Sequence, residues 1–426
     1  VTTTLPSASN RTAFLNLYTS FAVFLLGAIA LVVPSGYSVG ALLLLLGSAW
    51  LLVVRPTLEL SRQDWLVIAA LFSYAIVGMV AAWVDGQGTR GLDKPIRFLL
   101  AVPAMLLVMA YPPRLAWMWS GIILGAIGAG SWAGWQKLVA EVARAEGYTY
   151  VIQFGNLSML LGIFCLAGLG WAVVQPRRWP WVLLLLVGAL MGILGSLFSG
   201  SRGGWIGFPF VLLVLYRGYG RQLSARLKVA ALALMVSGAM LVYVVPQTGV
   251  QPRIHQAVDN ISQYASGENR RTSLGDRFEM WRGSALLVLE KPIIGWGTEG
   301  YQEGMQRLAD EGVINPYVTR YGHVHNEFLD AFVKRGLIGL AVLLALYLIP
   351  LRLFLKHFKT QDMELRSLAV AGALLPVAYI DFGLSQVFMA HNSGVMMYAF
   401  WLAALYGTLH AKPLLTSTNE GTVSKG

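Results

Sequence analysis

The sequence predicts an all-α polytopic integral membrane protein with about twelve transmembrane helices and one large, partly helical outward loop between the ninth and tenth. Three observations carry that prediction. Of 426 residues only 12% are charged while 56% are hydrophobic, against roughly a quarter charged in soluble domains. Apolar runs of about 20 residues recur along the chain, the length that crosses a hydrocarbon core of roughly 30 Å. The charge that is present gathers in short connections and in one long segment.

Taken in order, apolar stretches bounded by charge, Pro or Gly lie near 14–33, 37–54, 64–84, 96–111, 115–135, 154–175, 180–198, 204–219, 228–246, 336–355, 366–387 and 393–410. The fourth is short and contains Pro103. The first is long enough to span and no small-residue cleavage site follows it, so a cleaved leader is not expected. No repeat is visible, inverted or direct. With the N-terminus inside, the short outer loops hold only Arg90, Lys94, Arg97, Lys137, Arg144 and Arg202, and the remaining short-loop Lys and Arg fall inside. Both termini are therefore expected on the cytoplasmic side.

The expected organisation is spans one to nine over 1–246, a loop domain over 247–335, spans ten to twelve over 336–411 and a tail over 412–426. The loop holds eleven of the chain's 21 acidic residues. Phe278, Trp281, Ala285 and Leu289 are spaced to share one helical face, and Tyr301, Met305 and Leu308 another. Gly and Pro clusters around Lys291–Gly297 and Val313–Pro316 separate them. A charged, folded segment of this kind is more than two spans need to be joined.

The net charge of +11 does not point to nucleic acid, because no basic run interleaves with aromatics. Cys165 is the single cysteine, which excludes an intrachain disulfide and a thiolate cluster.

Four positions stand out. Arg202, in Ser199-Gly200-Ser201-Arg202-Gly203-Gly204, occupies a tight turn between spans. Its fork of donors suits a phosphate or pyrophosphate, or it is a snorkelling helix-end arginine. Arg277, in Asp276-Arg277-Phe278 with Trp281-Arg282 following, opens a loop helix where an anion is favoured; the alternative is a salt bridge to Asp276 or Glu279. His325, in His323-Val324-His325-Asn326-Glu327, precedes the tenth span and is the side chain best suited to take a proton near neutral pH. A hydrogen-bonded structural histidine is the other reading. A metal held by His323 and His325 is disfavoured, since residues two apart on a helix do not share a face. Asp381 lies inside an apolar run, where an ionisable group marks function or a buried partner.

In order along the chain, a Ser-x-Ser-Arg-Gly turn (Ser199–Gly203) is followed by Asp-Arg-x-x-x-Trp (Asp276–Trp281), Pro-x-x-Gly-x-Gly (Pro292–Gly297), His-Asn-x-x-Leu (His325–Leu329) and Gly-Leu-Ile-Gly-Leu (Gly336–Leu340). On this layout the chain resembles the O-antigen ligase and O-antigen polymerase superfamily of bacterial envelope glycosyltransferases. The resemblance implies a periplasmic loop and transfer of a glycan from undecaprenyl pyrophosphate, at the periplasmic face of the inner membrane, to a sugar hydroxyl of lipid A–core. It implies no metal and no cofactor, and the chain indeed contains no Asp-x-Asp. Carried onto this sequence, it makes Arg202 and Arg277 the pyrophosphate ligands and His325 the general base. Asn326, His323, Arg282 and Asp381 become substrate-binding candidates. A polymerase, a protein O-oligosaccharyltransferase and a transporter of a lipid-linked anion are the alternatives.

Overall fold

The computed structural model describes residues 8–201 and 203–423. Its helices are α1 (Ala8–Ala28), α2 (Gly36–Ser48), α3 (Trp50–Val54), α4 (Arg62–Val84), α5 (Gly88–Ala110), α6 (Leu115–Leu138), α7 (Val151–Ala172), α8 (Arg178–Ser199), α9 (Phe208–Gly218) and α10 (Ala225–Val244). The long connection forms α11 (Val250–Ser266), α12 (Gly275–Glu290) and α13 (Gly297–Asp310), and α14 (Glu327–Leu355), α15 (Met363–Gly383) and α16 (Asn392–Val423) complete the chain. No strand occurs among the described residues.

Helix lies within each of the twelve apolar stretches, but α1 ends at Ala28 and α15 at Gly383, short of their stretches, and 204–219 turns before α9 begins at Phe208. Among the described residues, eight helices are by themselves long and apolar enough to cross a membrane: α2 with α3, α4, α6, α7, α8, α10, α14 and α15. α9 is apolar but shorter. α5 starts earlier than its apolar run, at Gly88, and carries Pro95 and Pro103 inside it.

Small residues let the helices interlock, as backbones in lipid must for close van der Waals contact. A Cβ on Gly27 would stand 2.8 Å from Gly121 backbone, and one on Gly192 2.7 Å from Gly162 backbone, locking α1 to α6 and α7 to α8. α7 and α15 form the centre, each with 83% of its apolar window buried. α10 has no buried residue at all.

The segment between α10 and α14 carries a second apolar cluster, including Met280, Leu287, Tyr301, Met305, Ile314, Val318, Val324 and Val333. The face expected on α13 is buried as Tyr301, Met305 and Leu308. On α12 the expected face is rotated. Ala285 and Leu289 are exposed, while Met280, Gly283, Leu287 and Val288 turn inward with the polar Glu279 and Ser284. The cause is the packing of Gly283 on Met305, together with a hydrogen-bonded burial of Glu279 that periodicity cannot weigh.

The Pro292–Gly297 cluster wraps the start of the tenth apolar run. Trp296 N–H donates to Val333 O (2.9 Å) and Leu337 N–H to Pro292 O (2.8 Å). Thr298 N–H donates to Asp85 at the end of α4 (2.8 Å). α14 breaks here: Gly336 has φ 61 and ψ −162, a conformation essentially reserved for glycine. A Cβ on it would stand 2.1 Å from Ile293 O.

Gly336→Ala should therefore lower the apparent melting temperature followed by tryptophan emission, from about 1–3 kcal/mol of backbone strain plus the clash with Ile293. Gly238→Ala, on α10 with open space around it, should leave the temperature unchanged or raise it; equal behaviour of the two variants would refute this account of the kink.

Candidate active site

The site is built where α14 begins. Asn326 caps the helix, its Oδ1 accepting from the N–H groups of Phe328 (3.1 Å) and Leu329 (3.0 Å). Its Nδ2 donates to Leu384 O (3.3 Å). Asn326 is thus occupied as a cap, which accounts for the Asn-x-x-Leu pattern without a ligand.

His325, one residue earlier, has φ 54. A non-glycine residue in the left-handed region costs about 1–3 kcal/mol and persists only where its surroundings over-determine it. Those surroundings are specific. Trp281 Nε1 donates to Val324 O (3.1 Å) and Val324 N–H donates to Asp330 Oδ1 (3.2 Å). Lys334 pairs with Asp330 (2.8 Å) and donates to Gly322 O (2.8 Å). Loop and span together hold the histidine in its unfavourable conformation.

The His325 side chain meets the segment that follows α15. Its Nδ1 lies 2.7 Å from Gln386 Oε1; with the amide oxygen facing the ring, Nδ1–H is the donor and Nε2 is left as an acceptor. Burial, then the neighbouring His323, lowers the His325 pKa to about 4, with the Arg277 charge adding to the effect. The imidazole is neutral at pH 7. The His323 ring lies 4.2 Å from it, centroid to centroid. The argument that these two histidines cannot share a face fails, because 321–326 is not helical. Among the described residues no third His, Cys, Asp or Glu joins them in a group able to hold a metal ion.

Arg277 lies in the first turn of α12, half-buried, and burial lowers its pKa. Neither carboxylate proposed for it is available. Asp276 accepts from Tyr321 Oη (3.4 Å). Glu279 accepts from Tyr264 Oη (2.8 Å) and Asn315 N–H (2.9 Å). Arg277 makes no hydrogen bond or ion pair among the described residues, and its charge acts on the neutral His325 imidazole.

Arg202 lies outside the described residues. Its turn is nevertheless tied to the same place. Gly203 packs so closely on Ser385 that a Cβ would stand 2.1 Å from its Oγ, and Ser385 precedes Gln386. Ser201 Oγ donates to Asn156 Oδ1 (3.1 Å). Gly207 N–H donates to Asp381 Oδ1 (2.6 Å). Asp381 is 3% exposed; it anchors the backbone that leaves the turn, and no contact brings it to His325. Arg282 is exposed on α12, and its charge falls on Tyr264.

Of the residues singled out in the sequence, the structure brings together His325, His323 and Arg277. It also supplies residues the sequence did not reveal. Gln386 orients the imidazole; its only signal was a polar Ser-Gln pair after an apolar run. Arg144 Nε donates to Ser199 O (2.9 Å), and Arg144 and Arg253 both come within 3.6 Å of where a Cβ on Gly200 would stand. Burial, then Arg253, lowers the Arg144 pKa. These residues come from separate parts of the chain and share no motif.

Residues 187–344, from within α8 into α14, match the family model described as O-antigen ligase. Over 369 residues the chain is 29% identical to an uncharacterized protein of Haemophilus influenzae, covering 86% of this chain and 92% of that one. It is 23% identical over 233 residues to the O-antigen ligase of Escherichia coli, covering 54% of this chain and 51% of that protein.

In histidine-selective NMR of the purified protein, the His325 resonance should stay that of a neutral ring as pH falls through 6, turning only near about 4. The sign follows from the depressed pKa: the folded site resists the proton until the solution is well below the ordinary histidine value. Gln386→Ala should lower the midpoint further, because that hydrogen bond favours the charged ring. A midpoint near 6.5 in the wild type would contradict the buried, His323-paired site.

Proposed function

We propose that this chain, whose residues 187–344 match the O-antigen ligase model, is a member of that superfamily and transfers O-antigen glycan from undecaprenyl pyrophosphate to a sugar hydroxyl of lipid A–core, without a metal, at the periplasmic face of the inner membrane. The observation that carries this reading is a half-buried Arg277, without a partner among the described residues, whose charge acts on a neutral His325 engaged through Nδ1 by Gln386. The transfer needs one group to take the acceptor's proton and one to receive the leaving charge, and these two supply them.

In the proposed step the acceptor hydroxyl gives its proton to His325 Nε2 as its oxygen bonds the anomeric carbon. The bond from that carbon to the pyrophosphate oxygen breaks on the opposite face, inverting the centre. The negative charge that develops on the pyrophosphate is met by Arg277 and, as the family resemblance implies, by Arg202. Gln386 keeps the imidazole in the tautomer that can accept. His323 borders the acceptor side. Both substrates are lipids, so the bilayer holds their reacting groups at one depth and converts encounter into proximity. This reading puts 247–335 in the periplasm and both termini in the cytoplasm, in keeping with the distribution of Lys and Arg.

The relative named O-antigen ligase favours lipid A–core as acceptor over a second lipid-linked repeat unit, which a polymerase would use. A lipopolysaccharide gel of a deletion strain separates them: loss of a ligase leaves bare core, loss of a polymerase leaves core with one repeat.

With defined donor and acceptor in vitro, Arg277→Ala should slow transfer about 10²–10³-fold and His325→Ala about 10²–10⁴-fold, with the wild-type rate unchanged by chelator. Arg202→Ala should resemble Arg277→Ala. Wild-type rates in all three at equal expression would overturn the reading.

A further inference from the structure

A cavity of about 410 Å³ opens at the start of α16, between Tyr37 of α2, the connection from α6 to α7 and residues 391–393. It lies at the same end of the bundle as His325. Burial, then the charges of His323 and Lys94, lowers the pKa of His391 to about 4. His391, in the cavity wall, is therefore a neighbour of the His323–His325 pair.

The connection that forms the other wall is fixed along its length. Ala145 N–H donates to Phe198 O (3.0 Å) and Tyr148 N–H to Leu31 O (3.4 Å). Trp132 Nε1 donates to Glu146 O (2.9 Å), and Glu146 N–H donates to Gln136 Oε1 (2.8 Å). Gly147 sits so close to the chain beyond α1 that a Cβ on it would stand 2.3 Å from Leu31 O. On this frame Tyr148 stacks on Trp132, with centroids 6.2 Å apart and planes at 26°, and Tyr150 meets the His391 ring edge-on at 5.7 Å. Both tyrosines stay open, Tyr148 at 50% and Tyr150 at 74% exposure.

Tyrosines near helix ends ordinarily form the interfacial belt of a membrane protein, and a belt residue needs no polar company. Here polar groups converge on the same space and lack partners. Thr149 Oγ1 is buried and makes no hydrogen bond among the described residues. Ser393 is 4% exposed, and its hydroxyl makes none among them either. The Glu146 carboxylate and the Asn392 amide stand exposed at the rim, again without a partner among the described residues. Buried polar groups are normally satisfied, so hydroxyls left over on one wall suit a ligand that brings its own donors and acceptors. No Lys or Arg lines the cavity, so nothing in it recognises a phosphate. Aromatic faces set among hydroxyl, amide and carboxylate groups match a pyranose, whose C–H face lies on a ring while its hydroxyls bond to the polar groups.

We propose that this cavity is a carbohydrate subsite, which seats an uncharged sugar residue of the saccharide presented to His325. Tyr148 and Tyr150 take the apolar face of the sugar. Thr149, Ser393 and Asn392 take single hydroxyls, and the two oxygens of Glu146 accept from a neighbouring pair. Assigning that sugar to the acceptor rests on the glycan-transfer reading; the binding of sugar does not.

The test uses the full chain in nanodiscs prepared without sugar-headed detergent, titrated with maltose, lactose and chitobiose and read by saturation-transfer NMR. Glucuronate serves as an anionic control and should bind no better than the blank. Tyr148→Ala should weaken disaccharide binding about tenfold, the loss of one aromatic face, and Tyr148→Phe should restore it. Glu146→Gln should weaken it about fivefold. Trp179→Ala, an aromatic exposed elsewhere, should change nothing. With defined donor and acceptor, Tyr148→Ala should raise the acceptor KM by the same factor and leave kcat alone, as expected where ground and transition states are held equally. If no disaccharide is saturated, or if Tyr148→Ala binds as well as the wild type while eluting as a folded species, the subsite is refuted. If that variant fails to fold, Glu146→Gln at the exposed rim carries the same expectation. Disaccharide binding that falls in the variants, from a wild type that transfers no glycan to lipid A–core, would uphold the subsite and sink the transfer reading. An acceptor KM unmoved by Tyr148→Ala, with disaccharide binding weakened, would refute the assignment to the acceptor.

Discussion

The bond from Gly207 N–H to the Asp381 carboxylate (2.6 Å) exemplifies the constraint on which the rest of the structure depends. Inside or beside a bilayer, backbone that leaves a helix has no water to satisfy its N–H groups. This chain answers with buried or half-buried carboxylates. Asp381 takes Gly207, Glu327 takes Met389 (2.9 Å), Asp330 takes Val324 (3.2 Å), Glu279 takes Asn315 (2.9 Å) and Asp85 takes Thr298 (2.8 Å). Each bond fixes an irregular segment that a hydrophobic contact could not orient. With Asp276 and Glu279 committed elsewhere, Arg277 makes no ion pair among the described residues.

That arrangement also explains how the site straddles two bodies. The loop has its own apolar cluster, which reaches Val324 and Val333, and the bundle contributes Gln386 and the turn that packs on Ser385. His325 stands at the seam, where Asn326 starts a helix and where Trp281 and Asp330 grip the preceding residue from opposite sides. A side chain carried on a loop alone would be held less precisely, and the transfer proposed for this site depends on precise placement. The segment that matches the O-antigen ligase model, 187–344, contains the turn, Arg277 and His325 but stops short of Asp381 on α15 and of Gln386 just after it.

Much of the architecture was legible in the sequence because apolar length is dictated by the membrane and not by partners. Helix falls within each of the twelve stretches for that reason, and the eight among the described residues that are long and apolar enough to span include the central α7 and α15. Helix ends were less legible. α14 reaches back to Glu327, before its apolar run, because the Asn326 cap and the buried Glu327 and Asp330 stabilise a polar first turn. The inward face of α12 was missed because Glu279 and Ser284 occupy it, and a satisfied buried carboxylate looks exposed to any rule based on polarity. His325 could be singled out by its chemistry and place. Its left-handed backbone, its bond to Gln386 and the approach of Arg144 and Arg253 to Gly200 join residues far apart in the chain, and spacing cannot express them. Asn326 shows the converse: a residue that reads as part of a functional motif is held by its duty as a cap.

α10 raises a different matter. Its 20 residues are apolar and none is buried, so no protein surface dictates its tilt or depth. A helix of that kind takes its position from the thickness of the surrounding hydrocarbon, tilting or shifting as the bilayer thins or thickens. α11 leaves from its end, whereas α12 and α13 are held against α14. Whatever the bilayer imposes on α10 therefore passes to α11 and stops short of the packing that places Arg277 and His325.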